Sequence, residues 1–238
     1  MTAPERKCRG VKTVVLDIDG VLVLETSVAG SSEEVLVLHD GLESRLEQLG
    51  AEVFFLTHRS RPEAEAILGA AGLGRRWLDR CLCANDILSS AVLSGQWLRL
   101  ASHGMRKSLA LPRLRSRFGV SPSRCLFVDD RLDNVLDMCR GGIGVGAVAP
   151  SGVDAVGSVT TFDFDEVAEI VRTHQPAVEE GAAVLHLRPH EIRIESQHRT
   201  GLVTRHTARN GFNIARRSAA IIRRGFIAVR DRTSPRKR

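Results

Sequence analysis

The sequence is poor in aromatic residues and has no long apolar run. Aromatic residues make up 4% of its 238 positions and tyrosine is absent, so a platform of stacked aromatic side chains for single-stranded nucleic acid is not expected. No run approaches the roughly 18 apolar residues of a membrane-spanning helix, and no secretory signal follows the polar N-terminus. We therefore expect a cytoplasmic protein without a transmembrane segment.

Cysteine is also scarce, and its spacing is not that of a paired set. The five cysteines form an odd set without a C-x-x-C motif, at Cys8, Cys81, Cys83, Cys125 and Cys139. This pattern predicts reduced, mostly buried thiols rather than a disulfide framework or a zinc site. A loop of the form G-x-x-x-x-G-K-S/T is absent as well, which excludes a P-loop kinase.

Charge is distributed unevenly along the chain. Residues 185–238 carry 14 Arg or Lys and three acidic residues, a net charge of +11, whereas residues 1–184 carry 20 basic and 25 acidic residues. The composition changes near Pro176, as it does at many domain borders. We therefore predict a domain at 1–175 and a basic C-terminal extension at 176–238 that is disordered or partly helical.

Short apolar runs alternate with segments in which apolar residues recur every three or four positions. This alternation predicts strands joined by crossover helices, and hence an α/β fold with a doubly wound, Rossmann-like parallel sheet and flanking helices. Two runs, 21–24 and 35–38, are predicted to form a small β-hairpin flap, and residues 88–104 are predicted to form a loop. The remaining strands are expected at 11–16, 52–56, 80–84, 124–128 and 143–148, and the helices at 41–49, 61–71, 106–118 and 132–139.

Polar side chains follow several of these strands, at the point where each strand ends. Because the carboxyl ends of parallel strands share one edge of the sheet, we expect these side chains to meet in one crevice. Lys107, at the start of the helix before the fourth strand, is expected to join them. The residues that follow the strands are Asp17, Asp19 and Gly20, then Thr57, His58 and Arg59, and finally Asp129, Asp130 and Asp133.

Carboxylates that converge at one sheet edge repel one another unless a cation neutralises them. Mg²⁺ fits this arrangement best, because it prefers carboxylate oxygens and shares its shell with substrate phosphate, whereas Zn²⁺ favours His and Cys ligands. Gly20 allows the chain to turn, so that both Asp17 and Asp19 can point into the crevice. The sequence therefore predicts a magnesium site at the end of the first strand.

Taken in order, these residues resemble the four motifs of the haloacid dehalogenase (HAD) superfamily of phosphohydrolases. The resemblance covers about residues 11–150 and implies a doubly wound sheet and an aspartyl-phosphate intermediate. Residues 20–40 have room only for a hairpin flap, and residues 61–106 are filled by one helix, one strand and a loop, so we expect a capless enzyme. Asp19, an acid two positions after the nucleophile, is typical of the phosphoryl-transfer members and excludes the dehalogenase branch. The motifs are D-I-D-G-V-L at 17–22, an apolar strand ending in Thr57, Lys107, and V-D-D-x-x-D at 128–133.

The resemblance implies a role for each matching residue. Asp17 corresponds to the nucleophile, Asp19 to the general acid and base, and Lys107 to the lysine that neutralises negative charge. Thr57 corresponds to the hydroxyl that binds the phosphate. His58 and Gly20 are further substrate-binding candidates, although the alternative for His58 and Arg59 is a solvated loop.

The metal ligands implied by the resemblance are the acids after the fourth strand. Asp129 and Asp133 correspond to the metal-binding pair, Asp130 competes with them for that role, and Asp17 and Asp19 complete the set. The alternative for the second group is that its acids only cap the following helix. For the first group, the alternative is an ordinary strand-ending turn.

Substrate class depends on the absence of a large cap domain. A capless member resembles enzymes that act on exposed phosphates of large substrates, such as phosphoproteins or nucleic-acid ends. The alternative function is a nucleic-acid-binding protein that uses its basic extension, with the HAD-like domain as a scaffold or an end phosphatase. Segment 213–227 would instead suit an anionic membrane surface, and a solvated extension without a partner is the simplest alternative.

Overall fold

Six parallel strands form the centre of the fold. The computed structural model describes residues 10–26, 34–153, 158–174, 182–193 and 199–202. The strands are β1 (Thr13–Leu16), β2 (Val23–Thr26), β3 (Glu34–Val37), β4 (Glu52–Leu56), β5 (Cys81–Leu82), β6 (Cys125–Asp129), β7 (Val145–Val148), β8 (Gly152–Val153), β9 (Ser158–Thr161), β10 (Ala183–His186), β11 (His190–Arg193) and β12 (Arg199–Leu202). The helices are α1 (Leu42–Gln48), α2 (Arg61–Ala70), α3 (Arg75–Leu78), α4 (Ala84–Leu93), α5 (Trp97–His103), α6 (Leu111–Phe118), α7 (Leu132–Arg140) and α8 (Phe164–Thr173), with 3₁₀ helices at Lys107–Ala110 and Pro122–Arg124.

The winding of the central sheet reverses beside β1. The strand order is β10-β7-β6-β1-β4-β5 and all neighbours are parallel. The chain therefore runs from β1 outward to β5 and then crosses to the other side of β1, where β6 pairs with it through Leu16 and Val128. Ligands of doubly wound sheets bind beyond the carboxyl ends of the strands at such a reversal. The predicted fold class is confirmed.

Strand β1 is buried on both faces. Val14 and Leu16 belong to one hydrophobic cluster, whereas Val15 belongs to another, because successive side chains of a strand point to opposite faces. The first cluster includes side chains from α1, α2 and α8, and the second includes side chains from α4, α6 and α7. Helices therefore pack on both faces of the sheet, and this two-sided packing fixes the end of β1.

The prediction of a loop at 88–104 is wrong. These residues form most of α4 and all of α5. In α4, Ile87 and Ala91 are four positions apart and pack into the second cluster, as one face of a helix requires. Helix α5 has no buried residue, although its Leu100 is partly buried and packs against the second cluster.

The central sheet continues beyond the domain boundary predicted at residue 176. Strand β10 pairs in parallel with β7, with Ala183 opposite Val145, because a short apolar run precedes the basic residues. The predicted boundary falls inside one compact unit, Met1–Val203. Residues 204–238 lie outside the described residues, and so does the segment 213–227 that would suit an anionic membrane surface. Nucleic-acid binding by the extension stays a prediction.

Two small sheets accompany the central one. Strands β2 and β3 form the predicted antiparallel hairpin, whose turn at 27–33 lies outside the described residues, and β12 pairs with β3. The second small sheet has the order β11-β9-β8. In the described part of the chain, the segments between β1 and β6 form only this hairpin, helices, and strands β4 and β5, so the prediction of no large cap domain is confirmed.

Two expectations from composition can be compared with the structure. Of the five cysteines, the four within the described ranges are free thiols, and three of these, Cys81, Cys83 and Cys125, are buried. Among the helices of the described residues, none is long and apolar enough to cross a membrane.

Candidate active site

Three carboxylates meet at the carboxyl edge of the sheet, where the winding reverses. Asp17 directly follows β1, Asp129 ends β6 and Asp130 comes next. One carboxylate oxygen from each of the three lies within 4.8 Å of the other two. Asp17 is 5% exposed and Asp129 is fully buried. The topology thus brings together acids that are more than a hundred positions apart in the chain.

A buried ammonium group lies between two of these acids. The Nζ atom of Lys107 is 2.7 Å from Oδ2 of Asp17 and 2.7 Å from Oδ2 of Asp129, and Lys107 is 1% exposed. Burial alone would lower the pKa of Lys107, but the two carboxylates outweigh it and hold that pKa above its ordinary value. Lys107 is therefore a fixed positive charge in the centre of the site.

Two acids of the cluster, Asp17 and Asp130, have pKa values above those of ordinary carboxyl groups. Burial raises the pKa of Asp17 to about 7, with a contribution from the charge of Asp129, and Lys107 offsets this only in part. Burial and the same neighbouring charge raise the pKa of Asp130 to about 6. Both shifts have the direction expected for crowded, desolvated carboxylates.

Asp129 is held by hydrogen bonds to both of its oxygens. Its Oδ1 accepts from the backbone amide of Arg131 at 2.9 Å and from Nδ2 of Asn134 at 3.0 Å, while Oδ2 accepts from Lys107 at 2.7 Å. Asn134, in the first turn of α7, was not predicted from the sequence. The only sequence signal for Asn134 is its place, as an amide residue in the first turn of the helix that follows an acid at the end of a strand.

Gly20 leaves room for the carboxylate of Asp130. It has a φ of +73°, and a Cβ atom at this position would lie 2.3 Å from Oδ2 of Asp130. A side chain is therefore disfavoured both by the backbone conformation and by the contact. Gly20 is a substrate-binding candidate from the sequence, and in the structure its close neighbour is a cluster acid, Asp130.

Asp19 lies at the mouth of the site and is paired with Arg59. The Nε atom of Arg59 donates to both carboxylate oxygens of Asp19, at 2.8 and 2.9 Å. The side chain of Arg59 is 17% exposed and that of Asp19 is 40% exposed. Arg59 is thus not part of a solvated loop, and the Asp19 carboxylate, predicted as a metal ligand as well as an acid and base, is not among the three that cluster.

Thr57 and His58 follow β4 at the same edge of the sheet. Thr57 is fully buried, and its Oγ1 accepts the backbone N–H of Arg59 at 3.1 Å. In this bond the Thr57 oxygen is the acceptor, so the bond does not use the hydroxyl hydrogen. His58 is exposed at the surface of the site, yet desolvation, followed by the charge of Lys107, lowers the pKa of its imidazole to about 4.

Asp133, predicted as a metal ligand, is not brought to the cluster. Its side chain is 65% exposed and accepts from Arg131 at 3.0 Å. Because α7 begins at Leu132, Asp133 lies in the first turn, where an acid stabilises the helix. Asp129 and Asp130, between which the sequence left the choice open, both lie in the cluster with Asp17.

The donor atoms of the cluster fit a hard divalent cation. The cluster contains carboxylates alone, without His or Cys, and such oxygen ligands are those that Mg²⁺ and similar ions prefer. The pKa values of Asp17 and Asp130 are raised first by burial and then by the negative charge of Asp129, and a bound cation would relieve the second of these effects. Asp17, Asp129 and Asp130 are therefore the residues that would hold it.

No protein-family model and no curated protein matches the sequence. Among solved structures, the chain is similar to a HAD family hydrolase from Streptomyces avermitilis, at 21% identity over 74% of this chain and 76% of that one, with a TM-score of 0.41. It is also similar to 3-deoxy-D-manno-octulosonate 8-phosphate phosphatase from Moraxella catarrhalis, solved with magnesium, phosphate and KDO, at 20% identity over 60% and 70% of the chains and a TM-score of 0.38. A third similar structure is a HAD superfamily (subfamily III A) hydrolase from Legionella pneumophila, at 16% identity over 93% and 92% of the chains and a TM-score of 0.41. The strand order of the central sheet is that of the fold implied by the resemblance to the HAD superfamily. Asp17, Lys107 and Asp129 meet at one edge of this sheet, as the motifs of that superfamily imply.

Proposed function

We propose that this protein is a Mg²⁺-dependent phosphatase that hydrolyses a phosphoric monoester through an aspartyl-phosphate on Asp17. The observation that carries the proposal is the buried ammonium of Lys107, 2.7 Å from both Asp17 and Asp129, beside the third carboxylate of Asp130. Fixed charges of both signs on buried side chains suit a reaction in which an anionic group is transferred. The motif resemblance supports the same residues.

The metal would be held by Asp17, Asp129 and Asp130. When bound, Mg²⁺ would neutralise the acids and stabilise negative charge on the phosphoryl group. Asn134 and the backbone amide of Arg131 keep the Asp129 carboxylate in place for this role.

Asp17 is the nucleophile of the proposed reaction. Its Oδ1 accepts the backbone N–H of Ile18 at 2.8 Å and its Oδ2 lies beside Lys107, so the carboxylate is oriented before substrate binds. One carboxylate oxygen attacks phosphorus in line, the bond from phosphorus to the ester oxygen breaks, and an acyl phosphate forms. Lys107 offsets the negative charge of the transferring group, and Thr57 donates its hydroxyl hydrogen to a phosphoryl oxygen.

Asp19 supplies and removes protons. It donates a proton to the departing ester oxygen, and it then accepts one from the water that attacks phosphorus and releases Asp17. Such proton transfer is worth about 10²- to 10⁴-fold in rate. The exposed position of Asp19 at the mouth, held by Arg59, is where the leaving group and the incoming water pass.

The open mouth favours a phosphate carried on a large or extended substrate. In the described residues no inserted domain covers the site, and water is not excluded by closure of a lid over a small molecule. A panel of phosphopeptides, phosphorylated oligonucleotides, nucleotides and sugar phosphates, assayed by phosphate release, tests this part of the proposal. Higher kcat/KM on the small sugar phosphates than on either macromolecular class would contradict it.

The catalytic proposal is tested with an aryl phosphate. We expect phosphate release that is abolished by EDTA, restored by Mg²⁺ and lost in Asp17→Asn. Asp79→Asn, which changes a side chain that is 62% exposed, is the matched control and is expected to be as active as the wild type. Full activity of Asp17→Asn would exclude Asp17 as the nucleophile.

The covalent intermediate has its own test. Enzyme that turns over substrate is quenched in acid and reduced with borohydride, which converts an acyl phosphate into an alcohol. We expect homoserine at position 17 by peptide mass spectrometry. Turnover without such conversion would argue for direct attack of water on phosphorus.

A further inference from the structure

Asp137 is a buried acid that the proposed reaction does not use. It lies on α7 and is 6% exposed, and its Oδ2 accepts the backbone N–H of Ser108 at 2.9 Å. A buried carboxylate is costly unless it is hydrogen-bonded or paired. Its Oδ1 also lies 3.7 Å from Nη1 of Arg106, whose side chain is 43% exposed. Solvent around Arg106 keeps this ion pair weak.

The amide that Asp137 binds belongs to the residue after Lys107. Both residues lie in the 3₁₀ helix Lys107–Ala110, and the first amides of a helix have no partner within it. Asp137 supplies that partner from a different element. The four-carbon side chain of a lysine has a fixed maximum length. The position of the Lys107 backbone therefore limits which acceptors its ammonium group can reach.

Helix α7 also packs closely on the segment that carries Lys107. At Gly141, next to the end of the helix, a Cβ atom would lie 2.5 Å from Cδ1 of Leu111 and 3.1 Å from Cβ of Ser108. At its start the same helix holds Asp129 through Asn134. One helix therefore contacts both the acid and the backbone that supplies the ammonium group.

We propose that Asp137 is a positioning residue that, through the amide of Ser108, places the Lys107 ammonium between Asp17 and Asp129. The catalytic part of this inference rests on the proposed phosphatase function. The positioning itself does not, since it concerns where Lys107 lies with or without substrate.

The test compares Asp137→Ala with Asp137→Asn by two independent measurements. The first is kcat and KM on an aryl phosphate with Mg²⁺. The second is the acetylation rate of each lysine by trace acetic anhydride in metal-free buffer, read by peptide mass spectrometry. The chain has four lysines, and the exposed Lys12 is the internal reference for the buried Lys107.

Asp137→Ala is expected to lower kcat by about 10- to 100-fold, as small displacements of catalytic groups do, with a smaller change in KM. The same variant is expected to raise the acetylation rate of Lys107 relative to Lys12. Asp137→Asn keeps an oxygen that can accept from Ser108, so it is expected to restore both readouts. Arg106→Gln removes only the exposed ion pair and is expected to change neither.

Two results would overturn the inference. One is a folded Asp137→Ala protein in which Lys107 stays as protected as in the wild type, and the other is an Asp137→Asn protein as impaired as Asp137→Ala. Should Asp137→Ala not fold, Asp137→Ser replaces it, because its hydroxyl is too short to reach the Ser108 amide. Absence of phosphate release by the wild type on every substrate would refute the proposed function, while the acetylation comparison would still decide the position of Lys107.

Discussion

Arg59 binds both carboxylate oxygens of Asp19 through two nitrogens: its Nε donates to Oδ1 at 2.8 Å and to Oδ2 at 2.9 Å, and its Nη2 donates to Oδ1 at 2.5 Å. The two residues are 40 positions apart and follow different strands, β4 and β1. An arginine and a carboxylate in this arrangement restrict each other in direction as well as in distance. The resting position of the proposed acid and base is therefore set by the strand next to the one that carries the proposed nucleophile.

Arg59→Ala is expected to impair poor leaving groups more than good ones. Without Arg59, Asp19 is no longer held at the mouth, and its proton matters most when the departing oxygen is strongly basic. We expect kcat to fall by about 10²-fold for alkyl phosphates, within the range of general acid catalysis, and by much less for p-nitrophenyl phosphate. Arg76→Ala, which removes an exposed ion pair with Glu43, is the control. An equal loss for both substrates would contradict the role of Arg59.

Asp130 and Asp133 are expected to differ in their effect on the metal. Asp130 lies in the carboxylate cluster, whereas Asp133 is exposed and paired with Arg131. Asp130→Asn should raise the Mg²⁺ concentration for half-maximal activity by at least about 10-fold, as the loss of metal-site groups does. Asp133→Asn should leave it unchanged. A larger shift for Asp133→Asn than for Asp130→Asn would reverse the assignment.

Gly20→Ala is expected to have two effects: it lowers the free energy of unfolding, as a side chain in the left-handed conformation does, and it disturbs the proposed metal site. A side chain at a φ of +73° costs about 1–2 kcal/mol in free energy of unfolding, and the added methyl group would also overlap Asp130. The matched control is Gly119→Ala, because Gly119 has a φ of +68° and nothing within 4 Å of a Cβ atom. Urea unfolding should show a loss in both variants, while only Gly20→Ala should need more Mg²⁺ for activity.

The central acids of the site could be predicted because they end buried strands. Asp17 and Asp129 directly follow apolar runs, and in a parallel sheet such positions share one edge. Lys107 required the resemblance, since a lysine at the start of a helix is usually solvated. That Asp130 joins Asp129 in the cluster while Asp133 does not could not be predicted from the sequence, because it depends on where α7 begins.

Apolar periodicity and composition do not report several other features of the site and the fold. The direction of a long side chain such as Arg59 depends on tertiary contacts, and apolar periodicity does not report it. Asn134 and Asp137 lie in an amphipathic helix, where polar residues normally face water. Strand β10 was assigned to the basic extension because composition averages over many residues, whereas pairing of Ala183 with Val145 depends on only a few.

His39 is expected to make stability depend on pH. It is 7% exposed, its Nε2 lies 3.0 Å from the carbonyl oxygen of Val21, and its ring packs against Phe162 and Phe164. Burial lowers the pKa of His39 from 6.5 to about 4, so the folded state binds this proton less readily than the unfolded state does. Its contribution to stability is therefore complete above pH 6.5 and is lost as the pH falls toward 4, by about 3 kcal/mol in total.

The measurement for this prediction is urea unfolding in EDTA at a series of pH values. His39→Gln places an amide nitrogen near the position of Nε2 but does not titrate, so the free energy of unfolding of the wild type should fall relative to that of His39→Gln between pH 6.5 and 4. The difference between the two proteins is the relevant quantity, because the raised pKa values of Asp17 and Asp130 act in the opposite direction in both. His103→Gln, at an exposed position of α5, should follow the wild-type profile. If the free energies of unfolding of the wild type and His39→Gln change in parallel with pH, the pKa of His39 is not lowered in the folded state and the prediction is wrong.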